Sequence, residues 1–205
     1  MLLTAVWLLS VGTAVGQTMR DVFAGMPAEM CGQVDRDGLL DLVDFKESGM
    51  QARVFNGFGE PVVLESLSER YARLRTSDVS YEEMRLLERK KGEIVCVVFN
   101  YLTPVRESVV RFYTTGWEEI DGSKLLKVPG KEAFLKEGTD ARAADEVWQE
   151  AGLPTVAAAL CEDDDCLRFT MDAWGENKST EESLRGKLKE GLEYVWTGSR
   201  FEAKK

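Results

Sequence analysis

The sequence predicts an α+β fold in which an antiparallel β-meander packs with several short helices. Three observations support this prediction. Helical spacing of apolar residues, with capping signals, marks the region before residue 50. Short alternating segments separated by turn residues fill residues 51–115. Both signals recur in the last third of the chain, and no Pro/Ser-rich linker divides the parts. We expect residues 17–205 to form a single domain, or two closely packed subdomains over residues 17–120 and 121–205.

Two helices are predicted close to the N-terminus. Thr18 can cap the first helix, and Pro27 breaks it because proline removes a backbone donor. The second helix is predicted over Asp37–Glu47, with Asp37 as its cap and with several apolar residues available for burial. Gly49 would end this helix, since glycine readily adopts the left-handed conformation found after helix termini.

A meander of five or six antiparallel strands is predicted from residue 51 to about residue 115. Asn56–Gly59 has the composition of a hairpin turn, and Thr76–Ser80 and Lys90–Gly92 separate later segments. Ile94–Phe99 is apolar on both faces, which is typical of a central strand.

The last third of the chain mixes helices with strands. Capping signals at Asp140 and at Ser179–Glu182 predict one helix each. Three strands are predicted over Thr155–Leu160, Leu167–Met171 and Leu192–Trp196. We expect the tail after the last strand to turn outward.

The first sixteen residues form an apolar leader without a charged side chain. The run from Leu2 to Val15 is typical of a signal-peptide core and is shorter than the roughly 20 residues that cross a bilayer. Ala14 and Gly16 place small residues where signal peptidase needs them, so we expect cleavage before Gln17. The chain is therefore expected to be exported, with no transmembrane segment after removal of the leader. The alternative is an ordinary N-terminal core helix.

Composition excludes several classes of function. The chain has 36 acidic and 26 basic side chains and a net charge of −10, so it would repel nucleic-acid phosphates. It contains no histidine, which excludes Ser-His-Asp and Cys-His catalysis, histidine-ligated zinc and histidine-ligated haem. Carboxylate pairs, lysine chemistry and oxygen-ligated calcium stay open. The sequence marks no catalytic residue, no metal ligand and no cofactor motif.

Cys161 and Cys166 flank the acidic run Glu162–Asp165. If the acidic run is a four-residue hairpin loop, the cysteines face each other with Cα atoms about 4.5–5.5 Å apart, which suits a disulfide. We predict this disulfide, and two free thiols are the alternative. Adjacent acids on a tight turn splay outward and rarely converge on calcium, so we interpret the run as a solvated turn.

Two further sets of residues allow a functional and a structural interpretation. Four arginines near two acids could bind phosphate or carboxylate, but we favour cross-strand ion pairs on a solvent-facing sheet. These residues are Arg70, Arg73, Arg75 and Arg85, with Glu82 and Glu83. Four tryptophans could line a ligand groove, but we favour packing. They are Trp117, Trp148, Trp174 and Trp196.

Several packing and turn elements support a family resemblance. In chain order they are Met26–Pro27, Val43–Phe45, Gly57–Gly59, Arg111–Trp117 and Tyr194–Phe201. With these elements the chain resembles an uncharacterised family of exported proteins from Bacteroidales, the domain of unknown function 3256. The resemblance covers nearly the whole mature chain. It implies a periplasmic or secreted location in a Gram-negative bacterium, with no established activity and no functional residues to transfer.

These observations favour a non-catalytic exported protein that binds another envelope protein or a small ligand. A carboxylate-dependent hydrolase, acting on glycans for example, is the alternative. Such an enzyme needs two carboxyl groups about 5–9.5 Å apart, and the sequence does not select a pair. An inhibitor or chaperone-like module is a third, narrower interpretation.

Overall fold

The polypeptide is mostly β, with two antiparallel sheets and a few helices. The structure is a computed structural model that describes residues 16–102, 105–139, 141–150, 154–172 and 186–204. Its α-helices are α1 (Met19–Phe23), α2 (Arg36–Glu47) and α3 (Ala141–Glu150). Short 3₁₀ helices lie at Ala28–Met30, Gly122–Lys124 and Lys131–Phe134. The predicted leader, apart from Gly16, lies outside the described residues.

The large sheet has seven strands that follow one another in chain order. They are β1 (Arg53–Phe55), β2 (Pro61–Leu67), β3 (Tyr71–Ser77), β4 (Ser80–Glu88), β5 (Glu93–Tyr101), β6 (Glu107–Thr114) and β7 (Glu119–Ile120). Every neighbouring pair is antiparallel, so the predicted meander is confirmed. The sheet exceeds the predicted five or six strands because the two-residue β7 is too short to show a period of two.

The small sheet has four strands in the order β11, β10, β9, β8. They are β8 (Thr155–Leu160), β9 (Cys166–Asp172), β10 (Leu192–Trp196) and β11 (Phe201–Ala203). The prediction of an outward tail was wrong, because β11 folds back and pairs with β10. Phe201 is buried there, and the centroid of its ring lies 5.2 Å from the ring centroid of Trp196 and 6.3 Å from that of Phe112. Burial of this ring favours the hairpin over a free tail.

The large sheet is the middle layer of the structure. Helices α1 and α2 cover one of its faces, where Met84 and Leu86 of β4 join the buried cluster. The small sheet covers the other face, where Leu87 of β4 and Phe112 of β6 pack against it. Strands β4 and β5 are therefore buried on both faces, which explains the apolar run Ile94–Phe99.

Local signals account for the helix ends. Asp35, rather than the expected Asp37, caps α2, and its carboxylate accepts a hydrogen bond from the Gly38 amide at 2.8 Å. The helix consequently begins at Arg36, one residue before its predicted start. Gly49 follows the helix with φ = 72°, as expected. Helix α3 is confirmed, whereas the capping signals at Asp140 and at residues 179–182 lie outside the described residues.

Candidate functional site

One end of the large sheet carries exposed apolar side chains. Alternate connections of an antiparallel meander share an end, so the β1–β2, β3–β4 and β5–β6 connections lie together. Phe55 and Phe58 at the first connection are 64% and 78% exposed. Val79 lies at the second connection, and Tyr101 and Leu102 lie at the third, all three exposed. We call these five residues the apolar rim.

The opposite end of the sheet has a different character. Its turns, Ser68–Arg70, Arg89–Gly92 and Thr115–Glu118, are built mainly from polar and charged residues. Trp117 is the aromatic residue among them, and it is buried. Ten large apolar side chains are exposed in the part of the chain that the structure describes, and five of them belong to the rim. The exposed apolar surface is therefore concentrated at one end of the sheet.

Hydrogen bonds hold the first tip of the rim in place. The side-chain oxygen of Asn56 accepts from the amides of Phe58 and Glu60 at 3.0 and 2.9 Å. The Asn56 side-chain amide donates to the Gly32 carbonyl at 2.8 Å, which ties the tip to the loop before α2. Gly59 completes the turn with φ = 80°. The exposed Phe58 ring is therefore presented on a braced turn.

The other two tips are tied to each other. The Val79 amide donates to the Ser77 hydroxyl at 3.1 Å, and the Leu102 amide donates to the Val79 carbonyl at 3.0 Å. The sequence predicts the turns at Asn56–Gly59 and Thr76–Ser80, but it does not reveal that their apolar residues share a rim with Tyr101 and Leu102. The available signal was a phenylalanine inside a hairpin turn, a position that usually holds a polar residue or glycine.

A buried arginine joins the two sheets. The Arg85 side chain is 5% exposed, and its Nε donates to the Asp165 carboxylate at 2.6 Å. Its Nη1 donates to the carbonyls of Cys161 and Glu162 at 3.2 and 2.8 Å. One guanidinium therefore holds both backbone and side chain of the acidic turn, in the multidentate geometry that arginine allows.

The open edge of β8 is also closed by side chains of the large sheet. The Leu160 amide donates to Glu83 Oε2 at 2.9 Å, and the Tyr71 hydroxyl donates to Glu83 Oε1 at 3.2 Å. Two residues earlier, the Ala158 amide donates to the Ser108 hydroxyl at 2.8 Å. The bonds from the Leu160 and Ala158 amides satisfy two donors at the edge of β8 that would otherwise stay unpaired in a buried interface.

These contacts correct two predictions about charged residues. The arginine-bearing face is not solvent-facing throughout, because the small sheet covers Arg85. The acidic run is only partly solvated, since Asp165 binds Arg85 and Glu162 accepts from the Ser66 hydroxyl.

Cross-strand ion pairs are confirmed for Arg73 and Arg75, although their main partner is Glu65 rather than Glu82 or Glu83. Arg73 and Arg75 both pair with Glu65, at 3.0 and 2.9 Å. Arg70 pairs with Glu93 at 3.0 Å. With these partners, the arginines neutralise acids of the chain itself.

Two buried glutamates are neighbours in sequence but lie on opposite faces of β4. Glu82 faces the helices, where its Oε2 has no hydrogen-bond partner, and Glu83 faces the small sheet. Burial raises the pKa of Glu82 to about 8. Burial also raises the pKa of Glu83, although hydrogen bonding from the Leu160 amide and the charge of Arg73 oppose it. Because the sheet separates the two carboxyl groups, they do not form the facing pair that a glycan hydrolase uses.

The cysteines divide into one disulfide and two buried thiols. The structure joins Cys161 to Cys166, with Cα atoms 5.3 Å apart, across the acidic turn. Cys31 and Cys96 are free and buried. Burial raises the pKa of Cys31 to about 11, and it raises the pKa of Cys96 as well. Neither free thiol therefore has the thiolate character of a nucleophile.

The tryptophans that the structure describes pack rather than line a groove. Trp117 and Trp196 are buried, and their indole groups donate to the carbonyls of Val22 and Glu88 at 2.9 and 2.6 Å. Trp148 lies half-buried beside Lys131, with the ammonium 5.1 Å from the ring centroid. Trp174 lies outside the described residues.

Among the described residues, no group of Cys, Asp or Glu side chains is arranged to hold a metal ion. No described helix is both long enough and apolar enough to span a membrane.

Two comparisons match the chain to uncharacterised proteins. A family model for a protein of unknown function (DUF3256) matches residues 12–201. A solved domain of an uncharacterized protein from Porphyromonas gingivalis W83 has a TM-score of 0.75 and 22% sequence identity, covering 93% of this chain and 99% of that chain. At this identity the likeness shows a shared fold. No curated protein matches the sequence.

Proposed function

The chain belongs to the DUF3256 family of proteins of unknown function, and we propose that it is a non-catalytic exported protein that binds another envelope protein through the apolar rim. The observation that carries the proposal is the concentration of exposed apolar side chains at one end of the large sheet. Exposed apolar side chains that lie together, among polar neighbours, are typical of protein-binding surfaces.

The rim is suited to binding because it is already ordered. Asn56 and Ser77 fix two of its turns by hydrogen bonds, and the Leu102 amide links the second turn to the third. A partner would therefore bind without ordering the β1–β2 and β3–β4 turns, which lowers the entropic cost of association. From β1 to β5 the rim spans four strand spacings, about 19 Å, and so offers a row of side chains rather than a single contact.

Charge favours a protein partner over a membrane surface. Glu60, Asp78 and Glu107 are exposed on or beside the connections that carry the rim. The whole chain has a net charge of −10. Anionic lipid headgroups would repel these carboxylates, whereas a protein partner can place polar or basic groups beside them.

Two features support export. The sequence begins with an uncharged apolar leader of sixteen residues, with small residues before the expected cleavage position at Gln17. Cys161 and Cys166 form a disulfide, which persists in oxidising compartments such as the periplasm. On this proposal the mature protein acts in the periplasm or outside a Gram-negative cell. The two buried glutamates, Glu82 and Glu83, lie on opposite faces of β4 and so do not favour the hydrolase alternative.

Capture experiments from native envelope fractions test the proposed function. We expect the wild-type chain, recovered with Gln17 at its N-terminus, to capture a reproducible protein partner. The double substitution Phe55→Ser/Phe58→Ser should reduce capture at least about tenfold, because central aromatic residues dominate binding energy. Lys90→Ser/Lys91→Ser, at the opposite end of the sheet, is the matched control and should capture normally.

Several results would contradict the proposal. Equal capture by the rim variant and the control would remove the rim from the interface. Absence of any reproducible partner would count against binding, and a Met1 terminus on the native protein would count against export. Binding to vesicles of phosphatidylethanolamine and phosphatidylglycerol that is lost with Phe55→Ser/Phe58→Ser would replace the protein partner with a membrane.

A further inference from the structure

A groove lies between the segment Ser123–Lys127 and the start of β11. It has a volume of about 550 Å³, within the range of small-molecule sites. Its lining comprises three cationic residues, one serine and three apolar residues. These are Lys124, Lys127 and Arg200, then Ser123, then Leu125, Leu126 and Phe201.

The backbone around the groove is held by specific hydrogen bonds. The Asp121 carboxylate accepts from the Ser123 amide and from the Ser123 hydroxyl, each at 2.9 Å, and so starts the 3₁₀ helix Gly122–Lys124. The Phe201 amide donates to the Leu125 carbonyl at 2.7 Å, which connects β11 to the opposite wall. Both walls are therefore fixed relative to each other.

The charge of the groove is opposite to the charge of the protein. No acidic residue lines it, although acidic residues outnumber basic ones by 36 to 26 in the chain. Arg200 pairs with Glu202 at 2.7 Å. The side chains of Lys124 and Lys127 make no ion pair or hydrogen bond with the described residues. The hydrogen bonds from Ser123 lower the pKa of Asp121, and the charge of Lys124 adds to this effect. Two ammonium groups therefore remain available to a ligand.

We propose that this groove binds a small organic anion whose carboxylate or phosphate group meets Lys124 and Lys127. The apolar residues that line the groove, Leu125, Leu126 and Phe201, are only 6%, 8% and 5% exposed, so the lysine charges rather than an apolar contact account for binding. This site uses none of the rim residues, so it goes beyond the proposed protein-binding function.

Titration with 2-naphthoate, followed by ¹H–¹⁵N correlation spectra, tests the proposal. We expect saturable shifts in the amides of residues 122–127 and 200–201, weakened by added salt. The neutral analogue 2-naphthalenemethanol should bind at least about tenfold more weakly, since it lacks the charge that the lysines attract. Lys124→Gln/Lys127→Gln should weaken naphthoate binding by a similar factor.

A matched charge control separates a site from general attraction. Lys90→Gln/Lys91→Gln removes the same two charges from the β4–β5 turn and should change naphthoate affinity less than twofold. Equal weakening by both double variants would overturn the proposal, as would equal binding of the neutral analogue or shifts confined to other residues. Saturable shifts that Lys124→Gln/Lys127→Gln leaves unchanged would also overturn it.

Discussion

Arg85→Ala should lower the free energy of unfolding by about 3 kcal/mol, because it removes three hydrogen bonds of a buried guanidinium, each worth about 1 kcal/mol net. The substitution removes the donors to the Asp165 carboxylate and to the carbonyls of Cys161 and Glu162. The small sheet would then lose its main polar contact with β4. Urea denaturation followed by tryptophan fluorescence measures the loss.

Two further variants show whether this effect is specific. Arg85→Lys keeps the charge but lacks the planar guanidinium that donates to three acceptors. It should therefore lower the free energy of unfolding by about half as much as Arg85→Ala does. Arg111→Ala is the surface control, since Arg111 and Glu119 pair at 3.0 Å with both side chains about half exposed. Arg111→Ala should lower the free energy of unfolding by less than about 1 kcal/mol. If Arg85→Ala were no more harmful than Arg111→Ala, the inter-sheet contact would not stabilise the fold as we describe.

Glu82→Gln should make the free energy of unfolding less sensitive to pH between about 4.5 and 8. Burial raises the pKa of Glu82 from 4.5 to about 8, so in this range the folded protein binds a proton that the unfolded chain has released. The stability that Glu82 contributes is therefore complete below pH 4.5 and is lost as the pH rises towards 8. The loss amounts to at most about 5 kcal/mol.

Other groups also titrate between pH 4.5 and 8, so the effect of Glu82 is measured as the difference in free energy of unfolding between Glu82→Gln and wild type. Relative to wild type, Glu82→Gln should gain stability steadily from pH 5 to pH 8 in urea denaturation. Glu118→Gln removes an exposed carboxylate at the β6–β7 turn. Its free energy of unfolding should differ from that of wild type by the same amount at every pH from 5 to 8. Parallel profiles for wild type and Glu82→Gln would show that Glu82 is not buried as a neutral acid.

Local sequence patterns were sufficient for the parts of the fold that depend on local physics. The two-faced apolar run Ile94–Phe99 identified the central strand, because only a strand covered on both faces needs that pattern. The spacing of Cys161 and Cys166 around four acids placed the two cysteines opposite each other, and the structure joins them.

Features that depend on contacts between layers were not predictable in this way. Arg75 and Arg85 look alike in the sequence, because each is an arginine within a strand whose successive side chains point to opposite faces of the sheet. They differ because the small sheet, formed from distant segments, covers Arg85 and leaves Arg75 partly exposed. The same limit applies to Glu82, whose burial depends on helices from a different region of the chain. The apolar rim likewise requires three connections to meet at one end of a sheet.

Site-specific photo-crosslinking in the native cell tests the central claim most directly. Phe58 would be replaced by p-benzoylphenylalanine, and in a parallel strain Lys90 would be replaced in the same way. The proposal expects a discrete protein adduct in the envelope fraction from position 58 and none from position 90. Adducts of equal yield at both positions, adducts with lipid alone, or no adduct at position 58 would contradict it.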